Sequence, residues 1–391
     1  MEHCQKYPDM NKKNLISIFF VLSIVIVILY FLQNYSLQKF FLSPRIINTD
    51  PIVEKYSAPD KSAIFEIIAK DLQIPWDIAF LPSGDLLVTE RAGKLTRIGI
   101  QTKVVAEIDG VKHIGEGGLL GIALHPNFLT NKFIYLYSTS QTTKGIMNRV
   151  ERYRLSNDSL SEKITILEGI KGSKNHDGGH ISFGPDGYLY ITTGDAEVPN
   201  SAQESLSLNG KILRIKDDGA IPVDNPFGNA VYSMGHRNPQ GLAWDAKGNL
   251  WETEHGPSGT QTGFDELNRI QKGGNYGWPI LKGDQIKEGY IAPTLHSGSN
   301  DTWAPAGLVY FQGSLFFTGL RGEALYEAKI NEDSTITLST HFKSEFGRLR
   351  ALRLHPDMSL YVSTSNTDGR GFKKKSDDKI IKIEPMRLFA K

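Results

Sequence analysis

Cysteine is almost absent from this chain, because only Cys4 occurs among its 391 residues. A single cysteine excludes an intramolecular disulfide bond, cysteine-rich zinc sites and iron–sulfur clusters. An excess of charge of one sign is also missing, since 44 Lys and Arg face 43 Asp and Glu for a formal net charge of +1. This balance argues against a nucleic-acid-binding protein, which usually carries a strong basic excess or stripe.

Amphipathic helical stretches are missing too, whereas turn-forming and aromatic residues are plentiful. The chain has 38 Gly, 15 Tyr, 19 Phe and 5 Trp. Abundant glycine with aromatic residues predicts many tight turns between aromatic-rich strands. Hydrophobic residues make up 40% and charged residues 22% of the chain, which is typical of a folded globular protein.

Only one long apolar run is present, at residues 15–32 (LISIFFVLSIVIVILYFL). About 18 such residues reach the lower limit for a helix that spans a bilayer. Lys12 and Lys13 precede the run and residues 33–38 carry no charge, which predicts a cytoplasmic amino terminus and an extracytoplasmic remainder, periplasmic or extracellular. A cleaved signal peptide is the alternative, but its apolar region is usually about 7–15 residues long. We therefore predict a cytoplasmic tail at 1–14, a transmembrane signal-anchor helix at 15–32 and a tether at 33–62.

Six copies of one hairpin pattern follow the tether. Each copy has an apolar strand, a turn such as P-S-G-D, P-D-G, A-K-G-N or Q-G-S, and a second strand, as β-hairpins do. The copies lie at 76–90, 120–137, 180–193, 241–254, 307–318 and 351–363. A spacing of about 55 residues fits four-stranded propeller blades. The sequence predicts an all-β, six-bladed β-propeller over 63–386, with a strand near 63–72 that pairs with the last blade and closes the ring.

Four glycine-rich polar segments interrupt the strands at a similar phase of the repeat. They are GEGGLLG (115–121), NHDGGH (175–180), GHRNPQG (235–241) and EHGPSG (254–259). In a radially repeated fold, equal phase brings such segments to one end of the central axis. We expect the functional site there, because loops at the mouth of a propeller channel carry its binding residues.

Several polar residues of these loops suit a redox or anion-binding site. His176 is a candidate general base, although a turn histidine bonded to backbone is the alternative. Arg237 beside Asn238 suits a planar anionic ligand, unless the arginine only ties two blades together. Arg348 and Arg350 stand two residues apart and face one side of a strand. Two cations on one face favour a carboxylate-rich ligand, although exposure to solvent would also relieve their repulsion.

Two further loops add charge. Arg321 lies in the fifth-copy loop GLRGE and adds a possible cation. Residues 265–279 (DELNRIQKGGNYGWP) combine carboxylates with a Gly-Gly turn. Such oxygen donors suit calcium, which takes 6–8 oxygen ligands, but Asp265 and Glu266 could equally form a solvated acidic turn.

Together these segments resemble the soluble glucose and aldose sugar dehydrogenases that depend on pyrroloquinoline quinone (PQQ), the glucose/sorbosone dehydrogenase family. The matching motifs, in the family's order, are PWDIAFLPSGDLLVTER, GEGGLLGIALHPNF, the H-x-x-G of NHDGGH, FGPDGYLYITTGD, NGKILRI, GHRNPQGLAW, EHGP and DELNRIQKGGNYGWP. The resemblance implies a six-bladed propeller that holds PQQ and calcium at the channel mouth. It also implies oxidation of the anomeric hydroxyl of an aldose to a lactone, by hydride transfer to the quinone, with electrons leaving to an external acceptor.

The resemblance further implies roles for individual residues. His176 matches the base that takes the proton of the anomeric hydroxyl, Arg237 the residue that polarises the quinone oxygen, and Glu116 a contact to substrate or cofactor. The cofactor-binding matches are Arg237, Asn238, Arg321, Arg348 and Arg350. The calcium matches are the backbone carbonyls of Gly256 and Pro257, which ligate the ion that touches PQQ, and Glu266 and Tyr276, which help to bind structural calcium.

Some positions depart from the family's usual residues. Glu116 stands where a glutamine is common, Asn175 replaces an acidic partner of the base, His180 replaces an arginine, and His255 replaces a glutamine. Arg321 lies near the place of a lysine that contacts PQQ. Two other functions stay open at this point. One is a non-catalytic propeller that binds a protein or glycan at the cell surface, and the other is a calcium-dependent lactone hydrolase, which would lack the arginine pair.

Overall fold

The computed structural model describes residues 64–257 and 263–389, and in them it confirms the predicted β-propeller. Twenty-four strands form six four-stranded antiparallel sheets, the blades. The strands of blades 1 to 3 are β2 (Pro75–Phe80), β3 (Leu86–Glu90), β4 (Lys94–Ile98) and β5 (Thr102–Glu107); β6 (Leu119–Leu124), β7 (Phe133–Thr142), β8 (Gly145–Ser156) and β9 (Ser159–Lys171); and β10 (Ile181–Phe183), β11 (Leu189–Thr193), β12 (Lys211–Ile215) and β13 (Val231–Met234).

The remaining blades follow the same order along the chain. The strands of blades 4 to 6 are β14 (Pro239–Trp244), β15 (Leu250–Glu254), β16 (Glu266–Ile270) and β17 (Leu295–His296); β18 (Pro305–Phe311), β19 (Ser314–Gly319), β20 (Ala324–Ile330) and β21 (Ile336–His341); and β22 (Leu349–Leu354), β23 (Leu360–Thr364), β24 (Ile380–Ile383) and β1 (Phe65–Ala69). Each predicted hairpin copy corresponds to the first two strands of one blade.

Helical structure in the described residues is limited to short pieces. They are an α-helix, α1 (Phe128–Asn131), and two 3-10 helices at Pro199–Gln203 and Pro385–Arg387. Over the same residues, no helix has the length and apolar character required to cross a membrane. The predicted cytoplasmic tail, signal anchor and tether (1–14, 15–32 and 33–62) lie outside the part of the chain that the structure describes.

The sequence of each strand matches its depth in the blade. The second strands, such as β11 (LYITT) and β23 (LYVST), are buried throughout. They read as short apolar runs because both faces pack against neighbouring blades. The outer strands carry more charge, and β5 (TKVVAE) is exposed at four of its six positions. The charged outer strands therefore place the polar edge of each blade toward solvent.

A hydrophobic cluster fills each interface between neighbouring blades. Leu87 and Leu136, for example, lie in one cluster between blades 1 and 2, and both are fully buried. Ile78 of blade 1 packs in the same way with Ile380 of blade 6. Burial of such side chains contributes about 1.5–3 kcal/mol each, before the entropic cost of ordering them, so the six interfaces hold the ring together.

Buried hydroxyl groups connect several blades as well. Four second strands donate a hydroxyl hydrogen bond to the first strand of the next blade: Thr89 to the carbonyl of Leu120 (2.5 Å), Thr253 to Ala306 (2.8 Å), Thr318 to Arg350 (2.5 Å) and Ser363 to Pro75 (2.9 Å). These bonds satisfy carbonyl groups at bulges that register shifts leave in the first strands. They fix the start of each first strand, which is where the polar loops begin.

Candidate active site

The polar loops lie at one end of the propeller because of strand direction. Neighbouring strands run antiparallel, so the residues before a first strand and those after a second strand occupy the same end of a blade. His176 precedes β10 and Arg237 precedes β14, whereas His255 follows β15 and Arg370 follows β23. The prediction that segments of equal phase lie at one end is therefore confirmed for His176, Arg237 and His255.

A cavity of about 490 Å³ opens between these loops. Eight of the eleven predicted site residues line it: Glu116, His176, Arg237, Gly256, Pro257, Arg321, Arg348 and Arg350. Glu197, Asp265 and Arg370 line it as well. The volume lies in the range of pockets that enclose a small organic molecule, and charged groups of both signs surround it.

The imidazole of His176 is held by a buried carboxylate. Its Nδ1 lies 2.7 Å from Oδ1 of Asp195, which is fully buried. The indole N–H of Trp278 donates to Oδ2 of the same carboxylate at 2.8 Å. A carboxylate only accepts hydrogen bonds, so Nδ1 of His176 carries the proton. Nε2 is then the unprotonated nitrogen in the neutral ring, as a general base requires.

Asp195 corrects the sequence-based interpretation of Asn175. The absence of an acid at position 175 indicated that His176 lacks an acidic partner, but Asp195 supplies one from the loop after β11. Asn175 instead donates through Nδ2 to Glu197 at 2.9 Å. The sequence did indicate this acidic partner. Asp195 is the last residue of the motif FGPDGYLYITTGD, and it stands at the same phase of the repeat as the residues that end the other second strands.

The backbone around His176 is packed tightly against the loop that carries Asp195. His176 itself has φ +62°, a left-handed conformation that non-glycine residues rarely adopt. A Cβ atom on Gly194 would lie 1.9 Å from the carbonyl oxygen of His176, so only glycine allows this approach. Strain of this kind persists where the surrounding contacts hold it, commonly at functional sites.

Glu116 contacts the His176 turn directly. Its Oε2 accepts the backbone N–H of His176 at 2.9 Å and lies 3.4 Å from Nδ2 of Asn238. Its Oε1 accepts Nη1 of Arg370 at 2.6 Å. Burial alone would raise the pKa of Glu116, but the charges of His255 and Arg370 and these hydrogen bonds lower the pKa to about 2. Glu116 is therefore ionised at neutral pH.

Arg237 and Asn238 have different positions. Arg237 lines the cavity, stacks over the Trp278 ring at 5.3 Å from its centroid and donates from Nη1 to the carbonyl of His255 at 3.3 Å. Asn238 is fully buried behind the wall, where Oδ1 accepts the N–H of Gly178 at 3.0 Å. The side chain of Asn238 thus holds the turn that carries His176, and its predicted contact with the cofactor stays a prediction.

Arg91, Arg348 and Arg350 form a buried cationic group, of which Arg348 and Arg350 line the cavity. Arg348 forms a two-pronged pair with Asp368, from Nε at 3.0 Å and from Nη2 at 2.8 Å. Arg350 donates Nη1 to Gln240 at 3.0 Å. Burial, followed by the charges of Arg91 and Arg348, lowers the pKa of Arg350 to about 9 despite the opposing charge of Asp368. Nε of Arg350 has no hydrogen-bond partner among the described residues.

The cationic group bears on the predicted carboxylate-rich ligand. Asp368, which the sequence reading missed, neutralises Arg348, so part of the predicted demand for anions is met within the protein. Arg350 lies buried beside Arg91 and Arg348 with an unused Nε donor. Burial of an uncompensated charge is costly, and a negatively charged ligand in the cavity would relieve it.

Gly256 and Pro257 are fixed in the cavity wall by Asp265. Oδ1 of Asp265 accepts the N–H of Gly256 at 2.9 Å, and Oδ2 accepts from Thr302, Trp303 and Ala304 at 2.7–2.9 Å. Asp265 is only 3% exposed, so the alternative of a solvated acidic turn is wrong for this residue. His255 is buried next to it, and burial lowers its pKa to about 4, which leaves the ring neutral at pH 7.

A second polar cluster, the carboxylate cluster, lies behind Arg237. Its members are Glu252, Glu254 and Glu266, all buried, with Asn268 and His236. Oε2 of Glu254 accepts the backbone N–H of Arg237 at 2.9 Å. Burial and neighbouring carboxylates raise the pKa of Glu254 to about 7 and the pKa values of Glu252 and Glu266 well above their usual range.

The carboxylate cluster contains polar atoms without a protein partner. Oε1 of Glu252 and Oδ1 of Asn268 accept no hydrogen bond from the described residues, and Nδ1 of His236 lies 3.5 Å from Oε2 of Glu254. His236, Glu252 and Glu254 each offer a ligand atom within 4.8 Å of the others. Tyr276 stacks on His236 at 4.8 Å, and its hydroxyl donates to the carbonyl of Arg269 at 2.7 Å. Of the two residues predicted to help bind structural calcium, Glu266 belongs to the cluster and the Tyr276 side chain flanks it.

His180 lies deeper, in the channel below the cavity. It is fully buried and its Nε2 lies 3.4 Å from Nη1 of Arg353, which pairs with Asp77 at 2.6 Å. Arg353 of blade 6 therefore places a cation beside His180.

Comparisons with known proteins agree with this geometry. The model of the family described as Glucose / Sorbosone dehydrogenase matches residues 72–374. The chain is 31% identical to aldose sugar dehydrogenase YliI of Escherichia coli over 368 residues, 85% of this chain and 97% of that protein. It is 36% identical to quinoprotein glucose dehydrogenase B of Acinetobacter calcoaceticus over 289 residues, 64% of this chain and 60% of that protein.

A solved structure of similar fold is that of a cofactor-bound enzyme. The PQQ-bound form of aldose sugar dehydrogenase from Streptomyces coelicolor aligns with a TM-score of 0.76 and 39% sequence identity. The alignment covers 82% of this chain and 97% of that one.

Proposed function

Because the chain belongs to the glucose / sorbosone dehydrogenase family, we propose that it is a quinoprotein oxidoreductase that oxidises an aldose at its anomeric carbon to a lactone, with PQQ as its cofactor. The observation that carries this proposal is that one cavity contains both the His176–Asp195 pair and the buried arginines. A base and an anion-binding wall are the two features that the reaction requires. The related proteins named above are described as sugar dehydrogenases.

The arginines fit the acidic cofactor. Arg350 has a free Nε donor in its described surroundings, and it lies near Arg348 and Arg91 in a buried, electropositive wall. A planar tricarboxylate matches planar guanidinium donors. We assign Arg348, Arg350 and Arg321 to its carboxylates and Arg237 to the quinone oxygen. When bound, PQQ supplies the two-electron acceptor for hydride from the sugar carbon.

His176 performs the proton transfer in this proposal. Asp195 keeps the proton on Nδ1, so Nε2 accepts the proton of the anomeric hydroxyl as the C–H bond breaks. The buried carboxylate also stabilises the imidazolium that results. Arg237 stands on the same cavity wall, where its charge stabilises the negative charge that develops during hydride transfer.

Calcium has two candidate positions. Gly256 and Pro257 line the cavity and bring backbone carbonyl oxygens, ligands that calcium prefers. The carboxylate cluster offers Glu252, Glu254 and Glu266 together with unpartnered oxygen atoms. Three buried carboxylates repel one another unless protons or a cation neutralise them. We propose a calcium ion next to the cofactor and a structural calcium ion in the carboxylate cluster.

The cellular location rests on the sequence alone. We propose that the helix at 15–32 anchors the protein in a membrane and that the propeller lies outside the cytoplasm, because the basic residues precede the apolar run. Membrane fractionation before and after proteolysis within 33–62 tests this. Retention of the propeller in the membrane fraction after cleavage would contradict it.

Reconstitution tests the proposed activity. Cofactor-free protein is incubated with PQQ and calcium, and aldoses are added with an artificial dye as electron acceptor. We expect aldose-dependent dye reduction that requires both PQQ and calcium. Arg237→Met, which removes the cation proposed to stabilise the developing charge, is expected to lower the rate by about 10²-fold or more. Cofactor binding without oxidation of any aldose would favour the alternative of a non-catalytic propeller.

A further inference from the structure

Arg370 links three loops that are far apart in the sequence. Nη1 donates to Oε1 of Glu116 at 2.6 Å, and Nη2 donates to Oδ1 of Asn175 at 2.8 Å. The partners lie 254 and 195 residues away along the chain. Blade 6 is thereby connected to the loops that precede blades 2 and 3.

Both partners of Arg370 hold the turn that carries His176. Asn175 is the residue immediately before His176, and Glu116 accepts the backbone N–H of His176 at 2.9 Å. The Glu116 loop also packs directly on this turn, because a Cβ atom on Gly115 would lie 1.9 Å from the carbonyl oxygen of Lys174. The left-handed φ of +62° at His176 needs such support.

The ion pair between Arg370 and Glu116 also neutralises the charge of the Glu116 carboxylate. The side chain of Glu116 is 11% exposed and that of Arg370 is 53% exposed. Without Arg370, the buried carboxylate of Glu116 would keep only the His176 N–H and the long contact to Asn238. Removing one partner from a buried ion pair leaves an uncompensated charge. Glu116 and Arg370 together carry no net charge, just as a single neutral residue at position 116 would carry none.

We infer that Arg370 is a positioning residue: its guanidinium fork clamps Glu116 and Asn175 and so fixes the orientation of His176. This inference rests on the proposed function only for its kinetic consequence. The geometry of His176 in the cofactor-free protein is a separate readout. Lysine cannot replace the guanidinium fork, because its ammonium group does not hold two N–H donors in a fixed parallel geometry.

The kinetic test compares Arg370→Met with Lys373→Met in the full-length protein. Both remove one cation from the same loop, and Lys373 is exposed. We expect Arg370→Met to lower kcat by about 10–100-fold with little change in KM for the sugar, because a misplaced base slows chemistry more than binding. Lys373→Met is expected to behave as wild type. Arg370→Lys is expected to recover less than half of the lost rate, and full recovery would overturn the fork.

A double variant separates positioning from simple loss of charge. Glu116→Gln leaves Arg370 without its ion pair, and Arg370→Met leaves Glu116 as a buried charge. We expect the double variant Glu116→Gln, Arg370→Met to lose less in kcat than the product of the two single losses. Losses that simply multiply would show that Glu116 and Arg370 act independently, which contradicts the inference.

The structural test uses full-length protein labelled with ¹⁵N-histidine and free of cofactor. In wild type we expect His176 to show one tautomer with a slowly exchanging Nδ1–H. In Arg370→Met we expect exchange of this proton to accelerate by about tenfold or more, with the other histidines unchanged. Asn175→Ala, which removes one prong without altering charge, is the second variant should Arg370→Met fail to fold. Wild-type His176 signals in every folded variant would overturn the inference even if no sugar is oxidised.

Discussion

At the scale of single residues, the account depends on the pairing of His176 with Asp195. The 2.7 Å contact orients the ring, and Trp278 holds the carboxylate from its other oxygen. Oδ1 of Asp195 also accepts the backbone N–H of Glu197 at 2.9 Å, so three contacts hold the carboxylate in place. The general base and its orienting carboxylate come from two neighbouring loops of blade 3.

Replacing His176 by alanine tests its role as a base. We expect His176→Ala to bind PQQ as wild type does but to lower turnover by roughly 10²–10⁴-fold, the usual contribution of a general base. Turnover is followed by dye reduction and binding by the absorbance of the cofactor. Asp195→Asn is the companion variant, and it is expected to lower turnover without abolishing it. Unchanged turnover in His176→Ala would remove His176 from its proposed role.

Asp177 gives the protein a pH-dependent stability. It is buried next to His176, its Oδ1 accepts from Asn148 and Ser173, and its Oδ2 has no partner among the described residues. Burial raises its pKa to about 7. An unfolded aspartate titrates near 3.9, so the folded state holds the proton more tightly. The stabilisation is complete below about pH 4 and is lost as pH rises through about 7.

We therefore expect Asp177→Asn to be less sensitive to alkaline pH than wild type. Between pH 5 and pH 8, the free energy of unfolding of wild type should fall by on the order of 2 kcal/mol more than that of the variant. Urea denaturation at both pH values measures the difference. Because all other groups are shared, parallel pH dependence of the two proteins would show that Asp177 is ionised in the folded state throughout.

At the scale of secondary-structure elements, β15 and β16 combine like charges in one ladder. Glu254 lies directly opposite Glu266, and Glu252 lies opposite Asn268. Like charges opposite each other in a sheet are destabilising. The register is fixed by the apolar residues between them, such as Leu267, which is fully buried. The strands therefore hold the carboxylates together at a cost that a bound cation would offset.

Calcium is expected to stabilise the protein through this ladder. At a calcium concentration about 100 times Kd, binding to the folded state alone adds about 2.7 kcal/mol to the free energy of unfolding. We expect calcium to raise Tm in the absence of PQQ and Glu252→Gln to reduce this shift. Differential scanning calorimetry with calcium or a chelator measures both.

A matched control for this experiment is Glu327→Gln. Glu327 is also buried, but Ser314 and His341 occupy its carboxylate. Its substitution should lower Tm with and without calcium by the same amount. If Glu252→Gln keeps the full calcium shift, the ion binds elsewhere and the carboxylate cluster is not the structural calcium site.

At the scale of the whole molecule, the ring closes by joining the two ends of the propeller sequence. β1 pairs with β24, with Glu66 opposite Lys382 and Ile67 opposite Ile381. The closing blade therefore contains residues separated by more than three hundred positions. Closure leaves no open first or last blade, and it holds Arg370 of blade 6 against the loops that precede blades 2 and 3.

The blades could be predicted from the sequence because each hairpin is local. Alternating and continuous apolar runs around a glycine turn gave all six copies, and their phase located the site at one end. The residues that the prediction brought together, such as His176, Arg237 and Arg350, do line one cavity. The roles of these residues, and both calcium positions, stay predictions.

The side-chain partners of the site residues could not be predicted from the sequence in the same way. Asp368 pairs with Arg348 from the loop after β23 of the same blade, and Arg370 reaches Glu116 across 254 positions. No periodicity connects such residues, because their contact depends on the conformation of the loops and, for Arg370 and Glu116, on how the blades close around the channel. Asp195 was the exception, since it stands where other second strands end in charged residues such as Glu254.

The central claim is that the cavity holds PQQ against its arginine wall, and a spectral titration of cofactor-free protein with PQQ in the presence of calcium tests it most directly. The account predicts saturable binding of one PQQ per chain. It also predicts about 10²-fold weaker binding in Arg350→Met, because loss of a buried charged contact to a ligand costs about 2–5 kcal/mol. Absence of binding, or equal affinity of wild type and Arg350→Met, would contradict the account.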